Sequence, residues 1–465
     1  MFEAAALNLT DSAQLIQGSK IIASANCCLI GAMRNNGGLE MTMRAGKSQN
    51  GQVLSTAGPS RSSLVTWPPV VLRAVGLTSA GIIAFCLARI ANFPQMDFQV
   101  YRMGGQHVLG SGLYSAEITV LGQHLLFTYP PLAAILFWPL SHFSIFVGQT
   151  IWDAIDLVAL TALIAVSIAA AQGRSVARSD WGIALVLLAP IGFFLYPVAY
   201  NLALGQINIV LVLMILADLT IGVSWRGRDL PQGVLVGAAA AIKLTPLIFI
   251  PYLVASRQWR PARNAALTFA LATGAMFAVS PRASWLYFTE DAFDITRVGP
   301  VDRLDNQTLH AAISRAHLTM PPALFDLISL MVLCAGIAVA AVAYRRSSSM
   351  LGILVCAATG LMLSPISWFH HYVWIVPGLV WLVSGTDRPA KGGYWAAAGA
   401  LPFILIPPIR AGGSGVLWYL RGNVYVITTL AFIGLAGAML YIRRASASTE
   451  NHRPGADVSD TAVTR

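Results

Sequence analysis

The stretch PQMDFQVYR, Pro94 to Arg102, decides how the rest of the chain is read. It follows directly on an apolar run, Val70 to Ile90, long enough to cross a bilayer, since a spanning helix needs about 20 mostly apolar residues. Asp97 is therefore expected within a few residues of a membrane surface, on what reads as a new helix that also carries Tyr101 and Arg102. Of the 465 residues 56% are hydrophobic and only 11% charged, with a mean hydropathy of +0.66. A soluble domain carries about 25% charged residues. The chain reads as an all-α polytopic membrane protein, and an acid placed at the end of a span calls for an explanation.

Working outward, apolar runs recur near 129–171, 181–198, 206–223, 231–255, 262–280, 322–343, 350–363, 371–385, 393–409 and 423–442. Lys and Arg favour cytoplasmic loops. Placing Arg174/Arg178, Arg226/Arg228, Arg257/Arg260/Arg263, Arg345/Arg346, Arg388/Lys391 and Arg443/Arg444 inside leaves 92–128, 199–206, 281–321, 364–371 and 410–422 outside. Two stretches strain this scheme. Residues 129–171 are long enough for two spans where parity wants one, so Pro130, Pro131 and Pro139 predict a short membrane-edge helix before a span from about Thr150. Residues 231–255 must go in and come back, which predicts two half-length helices meeting at Lys243 to Pro246. Such breaks are tolerated at membrane depth where they line a cavity or are buried in protein.

The net charge of +10 is scattered through short loops rather than gathered on one face, which is no sign of a nucleic-acid partner. Cys27, Cys28, Cys86, Cys334 and Cys356 show no zinc or disulfide spacing. Residues 1–65 are rich in Ser, Gly, Asn and Gln and read as a disordered cytoplasmic extension, with Met41 and Met43 as alternative starts. Residues 66–445 form the membrane body, and 446–465 a polar tail of the same kind.

Under this topology the unusual polar clusters gather on the outer side: MDFQVYRMGGQHVLGSGLY (96–114), FTYPP (127–131), YNLALGQIN (200–208), IKLTP (242–246), DNQTLHAAISR (305–315), LSPISWFHHYVW (363–374) and WYLRGN (418–423). A Lys or Asp at a span centre costs about 2.5–3.5 kcal/mol on insertion scales, so several converging on one face imply a shared cavity. Asp97 reads either as a helix cap or as a general base whose pKa is raised by partial desolvation; one residue can be both. Lys243 either snorkels to the interface or, beside the Thr245-Pro246 break, binds a phosphate. His370 and His371 are adjacent on a helix, point about 100° apart and suit a phosphate oxygen better than a shared metal. Asn201, Gln206 and Asn208 read as interhelical glue or as site residues, Arg421 as an interface anchor or an anion contact, and Asp153, Asp156 and Asp218 as structural. The chain has no Walker A, no GxGxxG after a strand and no DxD pair in the outer loops. An activated donor would then arrive dissolved in the membrane rather than as a nucleotide–metal complex.

At these motifs the chain resembles glycosyltransferase family 87, the polyprenol-phosphate-mannose-dependent mannosyltransferases of mycobacterial lipoglycan synthesis. The matching pieces run in order: DFQVYRMGGQHVLGSGLY, FTYPPLAAILFWPL, GQINIVLVLMILAD, GVLVGAAAAIKLTPLIFIPYLV, RVGPVDRLDNQTLHAAISR and LSPISWFHHYVWIVP. The resemblance implies a GT-C bundle of about eleven to thirteen spans with the site at its extracytoplasmic face of the cell membrane and the catalytic aspartate, here Asp97, in the first outer loop. It implies a polyprenyl-phosphate mannose donor, a mannosylated lipoglycan acceptor and an inverting transfer. Lys243, His370 and His371 would hold the donor phosphate, and Tyr101, Arg102, Tyr129, Gln206, Asn208, Asn306, Gln307, Trp368 and Arg421 the sugar and acceptor. No cofactor or metal is required by this chemistry. Within the family, products divide between phosphatidylinositol mannosides and α-1,2 branches of lipomannan and lipoarabinomannan; DFQVYRMG inclines the reading to the branching enzyme. A same-fold transferase using another lipid-linked sugar is the nearest rival. A secondary transporter would share the broken helices but should show repeat symmetry between its halves, of which there is no sign.

Overall fold

The computed structural model describes residues 94–225, 227–404 and 414–450. The Val70–Ile90 run, the 1–65 extension with Cys27 and Cys28, Cys86, Arg226 and the tail beyond 450 lie outside the described residues. The fold is an all-α polytopic membrane protein, with two short hairpins as its only strands among the described residues.

Helix α1 (Met96–His107) starts after Pro94, with Gln95 at its N-cap position. A hairpin follows, β1 (Glu117–Val120) and β2 (Gln123–Leu126), turned at Leu121 and Gly122, whose φ angles of 51° and 76° match the two-residue turns that suit strand twist. The long apolar run then divides as its prolines demand. Pro131 opens α2 (Pro131–Ser141), and Ser144 restarts the chain by accepting a bond from Val147 N–H at the head of the spanning α3 (Ile145–Ala171). The span begins at Ile145 rather than near Thr150 because that cap fixes its start.

Helices α4 (Arg178–Phe194) and α5 (Tyr196–Leu204) lead to α6 (Asn208–Thr220). Between α5 and α6 the axis bends by 118° at Gly205, whose φ of +69° is the left-handed conformation that ends helices on glycine. A two-residue-strand hairpin, β3 (Ser224–Trp225) with β4 (Arg228–Asp229), follows. The 231–255 run is broken as its sequence predicts: α7 (Val234–Ile242) ends at Lys243, which is extended at φ −147° and ψ 128°. A 3₁₀ turn over Thr245–Ile248 then leads into α8 (Phe249–Ala255). Asp218 on α6 holds the head of α7, its carboxylate accepting from Gly233 and Val236 N–H, so its structural reading agrees with the contacts.

The remaining elements are α9 (Trp259–Val279), α10 (Pro281–Leu286), a π-helical turn (Tyr287–Asp291), a 3₁₀ turn (Ile295–Arg297), α11 (Leu309–Arg315), α12 (Pro322–Arg346), α13 (Ser349–Leu363), a 3₁₀ segment (Phe369–Trp374) running into α14 (Ile375–Ser384), α15 (Gly392–Ile404), α16 (Val416–Gly422) and α17 (Val424–Glu450). By length and composition four described helices cross a membrane unbroken, five if the bent α5–α6 pair is one span. The spans that the resemblance implies, about eleven to thirteen, are not all seen as long helices among the described residues. Further apolar helices there, such as Pro131–Ser141, Thr245–Ala255, Ser349–Leu363 and Phe369–Ser384, are shorter than a full span. One end of the body is closed by Thr386 N–H on Ala171 O, Arg345 on Ala255 O, and Ser347 and Ser348 on Asp387. Arg174, Arg257, Arg345, Arg346 and Arg388 belong to that end; α1 and the chain breaks belong to the other.

Candidate active site

Four interruptions of helix meet around α1. Gln95 is fully buried and its Nε2 donates to Asp153 Oδ1 on α3 at 2.6 Å, tying the head of α1 to a spanning helix. The Gly205 turn presses on the same place: a Cβ there would lie 2.7 Å from both Gln95 Oε1 and Phe98 Cβ. Trp152 on α3 donates to Gly205 O at 2.9 Å and fixes the turn from the other side. The residue after that glycine, Gln206, is thereby set against the face of α1 that carries Asp97 and Tyr101, one helical turn apart.

From Gln206 a chain of hydrogen bonds crosses the site. Tyr101 OH donates to Gln206 Oε1 at 2.9 Å and Gln206 Nε2 to Tyr129 OH at 3.0 Å. Asn201 Nδ2 holds Gln206 O at 2.8 Å, and Asn208 Nδ2 reaches Asn201 Oδ1 at 3.1 Å. Asn208 Oδ1 accepts from Lys243 Nζ at 2.8 Å, and the ammonium also donates to His371 Nε2 at 3.1 Å. Lys243 lies 5.4 Å above the Tyr129 ring, a cation–π distance. It is 9% exposed, and among the described residues no carboxylate forms an ion pair with it. A buried cation held by neutral groups is electrostatically incomplete. His370 is also buried, 5.6 Å from the Tyr200 ring, with both ring nitrogens unpartnered.

Asp97 is half-buried in the first turn of α1. No capping bond is made at the helix start, whose N-cap position belongs to Gln95, so capping does not occupy the carboxylate. Burial pushes its pKa up to about 6, against the opposing pull of the Gln206 hydrogen bond and the Lys243 charge. A carboxylate in this range is better matched to proton abstraction near neutral pH than an ordinary one.

A narrow cleft leaves this cluster between α6, the Thr245–Ile248 turn, α13 and the Phe369–Trp374 segment. Asn208, Thr245 and His371 line its polar end, and Val212, Phe249 and Leu361 are among the apolar residues of the rest. Polar side chains of the cluster thus line one part of an otherwise largely apolar cleft.

The other expected site residues are distributed differently. Asn306 and Gln307 are fully buried and spend their side chains on backbone. Asn306 Oδ1 accepts from Ser367 N–H and its Nδ2 donates to Val301 O. Gln307 Nε2 donates to Leu304 O and Gly422 O, and its Oε1 accepts from Tyr425 N–H. They clamp the strand-like segment that precedes His370 rather than point into the cluster. Trp368, on that segment, is partly exposed and carries the Arg303 guanidinium 5.1 Å above its ring. Arg421 is exposed on α16. Arg102 lies on the other face of α1, its Nη2 donating to Phe143 O at 3.1 Å.

Three residues that place the site escape sequence reasoning. Gln95 and Gly205 have been described. Arg315 is 4% exposed and donates to Asn423 Oδ1, Arg303 O and Asn306 O, which locks α11 to the head of α17. Gly205 alone left a trace, a glycine set between polar residues in YNLALGQIN.

Known proteins resemble the chain over most of its length. Residues 127–365 match the model of glycosyltransferase family 87. The chain is 31% identical, over 75% of its length and 86% of the relative's, to a polyprenol-phosphate-mannose-dependent alpha-(1-2)-phosphatidylinositol mannoside mannosyltransferase of Mycobacterium tuberculosis. It is 32% identical, over 74% of its length and 85% of the relative's, to a polyprenol-phosphate-mannose-dependent alpha-(1-2)-phosphatidylinositol pentamannoside mannosyltransferase of Mycolicibacterium smegmatis. A phosphatidylinositol mannoside mannosyltransferase of the same species is 32% identical over 78% of this chain and 88% of its own. No solved structure matches. With the family model covering half of the chain and these relatives three quarters of it, the protein belongs to glycosyltransferase family 87.

Proposed function

We propose that the protein moves mannose from polyprenyl-phosphate mannose onto a mannoside carried on phosphatidylinositol, forming an α-1,2 linkage with inversion at the extracytoplasmic face of the cell membrane. The observation that carries this reading is the continuous polar chain from the Asp97 face of α1 through Gln206 and Asn208 to Lys243 and His371. In this reading Asp97, at one end of the chain, is the base and Lys243, at the other, the cation that binds the phosphate. The arginine-rich loops at the opposite end support the sidedness, since positive charge favours the cytoplasm.

Asp97 takes the proton of the acceptor hydroxyl as that oxygen attacks C1 of the donor mannose from the face opposite the phosphate. The C1–O bond to phosphate breaks, its electron pair leaves with polyprenyl phosphate, and a β-linked donor gives an α-linked product. The departing anion is stable without a proton and needs hydrogen-bond donors, which Lys243 supplies, with His370 or His371 beside it. No cofactor is invoked. The lipid tail lies in the apolar cleft. Tyr129, which is partly exposed, offers a ring edge to a sugar; Tyr101, fully buried and stacked on Phe137, contributes only its hydroxyl, and the Trp368 ring is covered by Arg303.

The named acceptors of the relatives favour a phosphatidylinositol mannoside over the lipomannan or lipoarabinomannan branch that DFQVYRMG suggests. The test is transfer of labelled mannose from polyprenyl-phosphate mannose in membranes carrying wild type or Asp97→Asn at matched expression. Phosphatidylinositol tetramannoside and a linear α-1,6-mannan would be offered side by side, with linkage analysis of the product. Transfer to the first, lost in the variant, supports the reading; transfer to the second alone moves it to branching. Transfer to neither sends the search to another lipid-linked sugar.

A further inference from the structure

On the face of α1 turned away from Asp97 the residues Gln99, Arg102, Met103, Gln106 and His107 form one helical stripe, at the spacing of neighbours three and four apart. With Glu117 and Ile118 of β1 and Ile145 of α3 they enclose a second pocket of about 180 Å³, room for about six waters at liquid density. Its donors are only partly used. Arg102 is aimed by its Nη2 bond to Phe143 O, at the corner between α2 and α3, while its Nε is buried without a partner. His107 commits Nδ1 to Met103 O and leaves Nε2. The one carboxylate in the lining, Glu117, is engaged by His124 across the hairpin.

What surrounds the pocket indicates its ligand. Phe143, Ile145, Phe146 and Val147 are large apolar residues exposed at its rim, and Ile155 and Val158 continue an exposed apolar stripe down α3. In a spanning helix such a stripe faces lipid. The pocket therefore stands where headgroups meet hydrocarbon, with a fixed guanidinium above a track for acyl chains.

We propose that this pocket binds the phosphodiester headgroup of a membrane phospholipid, which under the acceptor reading above is the lipid anchor of the acceptor itself. Arg102 supplies the charge-assisted bonds and Gln99, Gln106 and His107 the donors for the polyol around the phosphate. The acceptor would then be held by its anchor on one face of α1 while its sugar chain reaches Asp97 on the other.

The experiment measures retention of phosphatidylinositol against a diacylglycerol of identical chains by the purified full chain in native mass spectrometry. Because neither probe carries mannose, the result does not depend on transfer, so this inference and the acceptor reading can fail separately. Wild type should bind phosphatidylinositol at least tenfold more tightly than the diacylglycerol. Arg102→Met should erase that preference and Arg102→Lys should keep part of it. Gln106→Glu changes an exposed position and places a repelling charge in the pocket; it should weaken phosphatidylinositol binding at least fivefold. Equal retention of the two lipids by wild type, or an undiminished preference in both Arg102→Met and Gln106→Glu, would overturn the proposal. Displacement of the lipid by millimolar inorganic phosphate would reassign the pocket to the free anion.

Discussion

Replacing Asp97 by Asn should make the protein more stable while removing its activity. An acid whose pKa rises from its ordinary 3.8 to about 6 binds its proton more tightly when folded than when unfolded. Its stabilising effect is greatest when protonated and is lost as pH rises between those two values. At pH 7.5 the full shift corresponds to about 3 kcal/mol of destabilisation by the carboxylate. Partial solvent access reduces that figure. A carboxylate in the first turn of a helix also gains about 0.3–1 kcal/mol from the macrodipole, which Asn gives up. The net expectation is a gain of about 1–2 kcal/mol for Asp97→Asn at pH 7.5, read as a rise of about 1–2 °C in Tm by scanning fluorimetry in detergent. At pH 5 the wild-type carboxyl is mostly protonated, so the gain should fall to about half. Mannose transfer, measured in the same preparations at pH 7.5, should fall by about 10²–10⁴-fold, as for loss of a general base. A lowered Tm with activity lost in proportion to unfolded protein would refute the reasoning and return Asp97 to a structural role.

Three further outcomes follow from the same geometry. In Gln206→Leu the hydrogen bond that holds the Asp97 pKa down is gone; the acid limb of the kcat/KM profile, expected near pH 6 in wild type, should move upward, and an unmoved limb would separate Gln206 from the base. Gly205→Ala combines a left-handed φ with a 2.7 Å overlap on Gln95 and Phe98, costing about 2–4 kcal/mol, visible as a lowered Tm together with reduced transfer. Arg315→Met strips donors from Asn423, Arg303 O and Asn306 O and should cost about 2–4 kcal/mol while leaving KM for the donor within about twofold in the protein that remains folded.

The parts of this fold legible in sequence are those where backbone chemistry is local. Pro130, Pro131 and Pro139 announce the division of the 129–171 run, and KLTP announces the break after α7, because proline and an extended Lys243 act on their own segment. What escapes is side-chain partnership across the chain. The bond between Gln95 and Asp153 joins residues 58 apart, and that between Gln307 and Gly422 joins residues 115 apart; no local pattern encodes either. Asn306 and Gln307 look like sugar ligands in sequence because they are polar and outside a span, yet their donors and acceptors are consumed by backbone. Helical period alone could have separated Arg102 from Asp97: five residues on, a side chain has turned by about 140°.

The way the site is built explains why so much of it lies at chain breaks. A lipid-linked donor brings a phosphate and a sugar to the edge of hydrocarbon, where an unbroken helix offers no free polar backbone and few affordable charges. Each interruption relaxes that limit at one point. The head of α1 exposes Asp97, the Gly205 turn delivers Gln206 and, through Asn201, orients Asn208, and the end of α7 turns Lys243 toward Asn208 and His371. The 3₁₀ segment at Phe369–Trp374 sets His371 against that ammonium. None of these groups lies within a regular spanning helix, and each is tied to the next by a hydrogen bond or by direct packing. Loss of one tie should therefore be felt at the far end of the chain: Asn208→Leu, which removes the link between Gln206 and Lys243, is expected to weaken donor binding without touching any residue of α1.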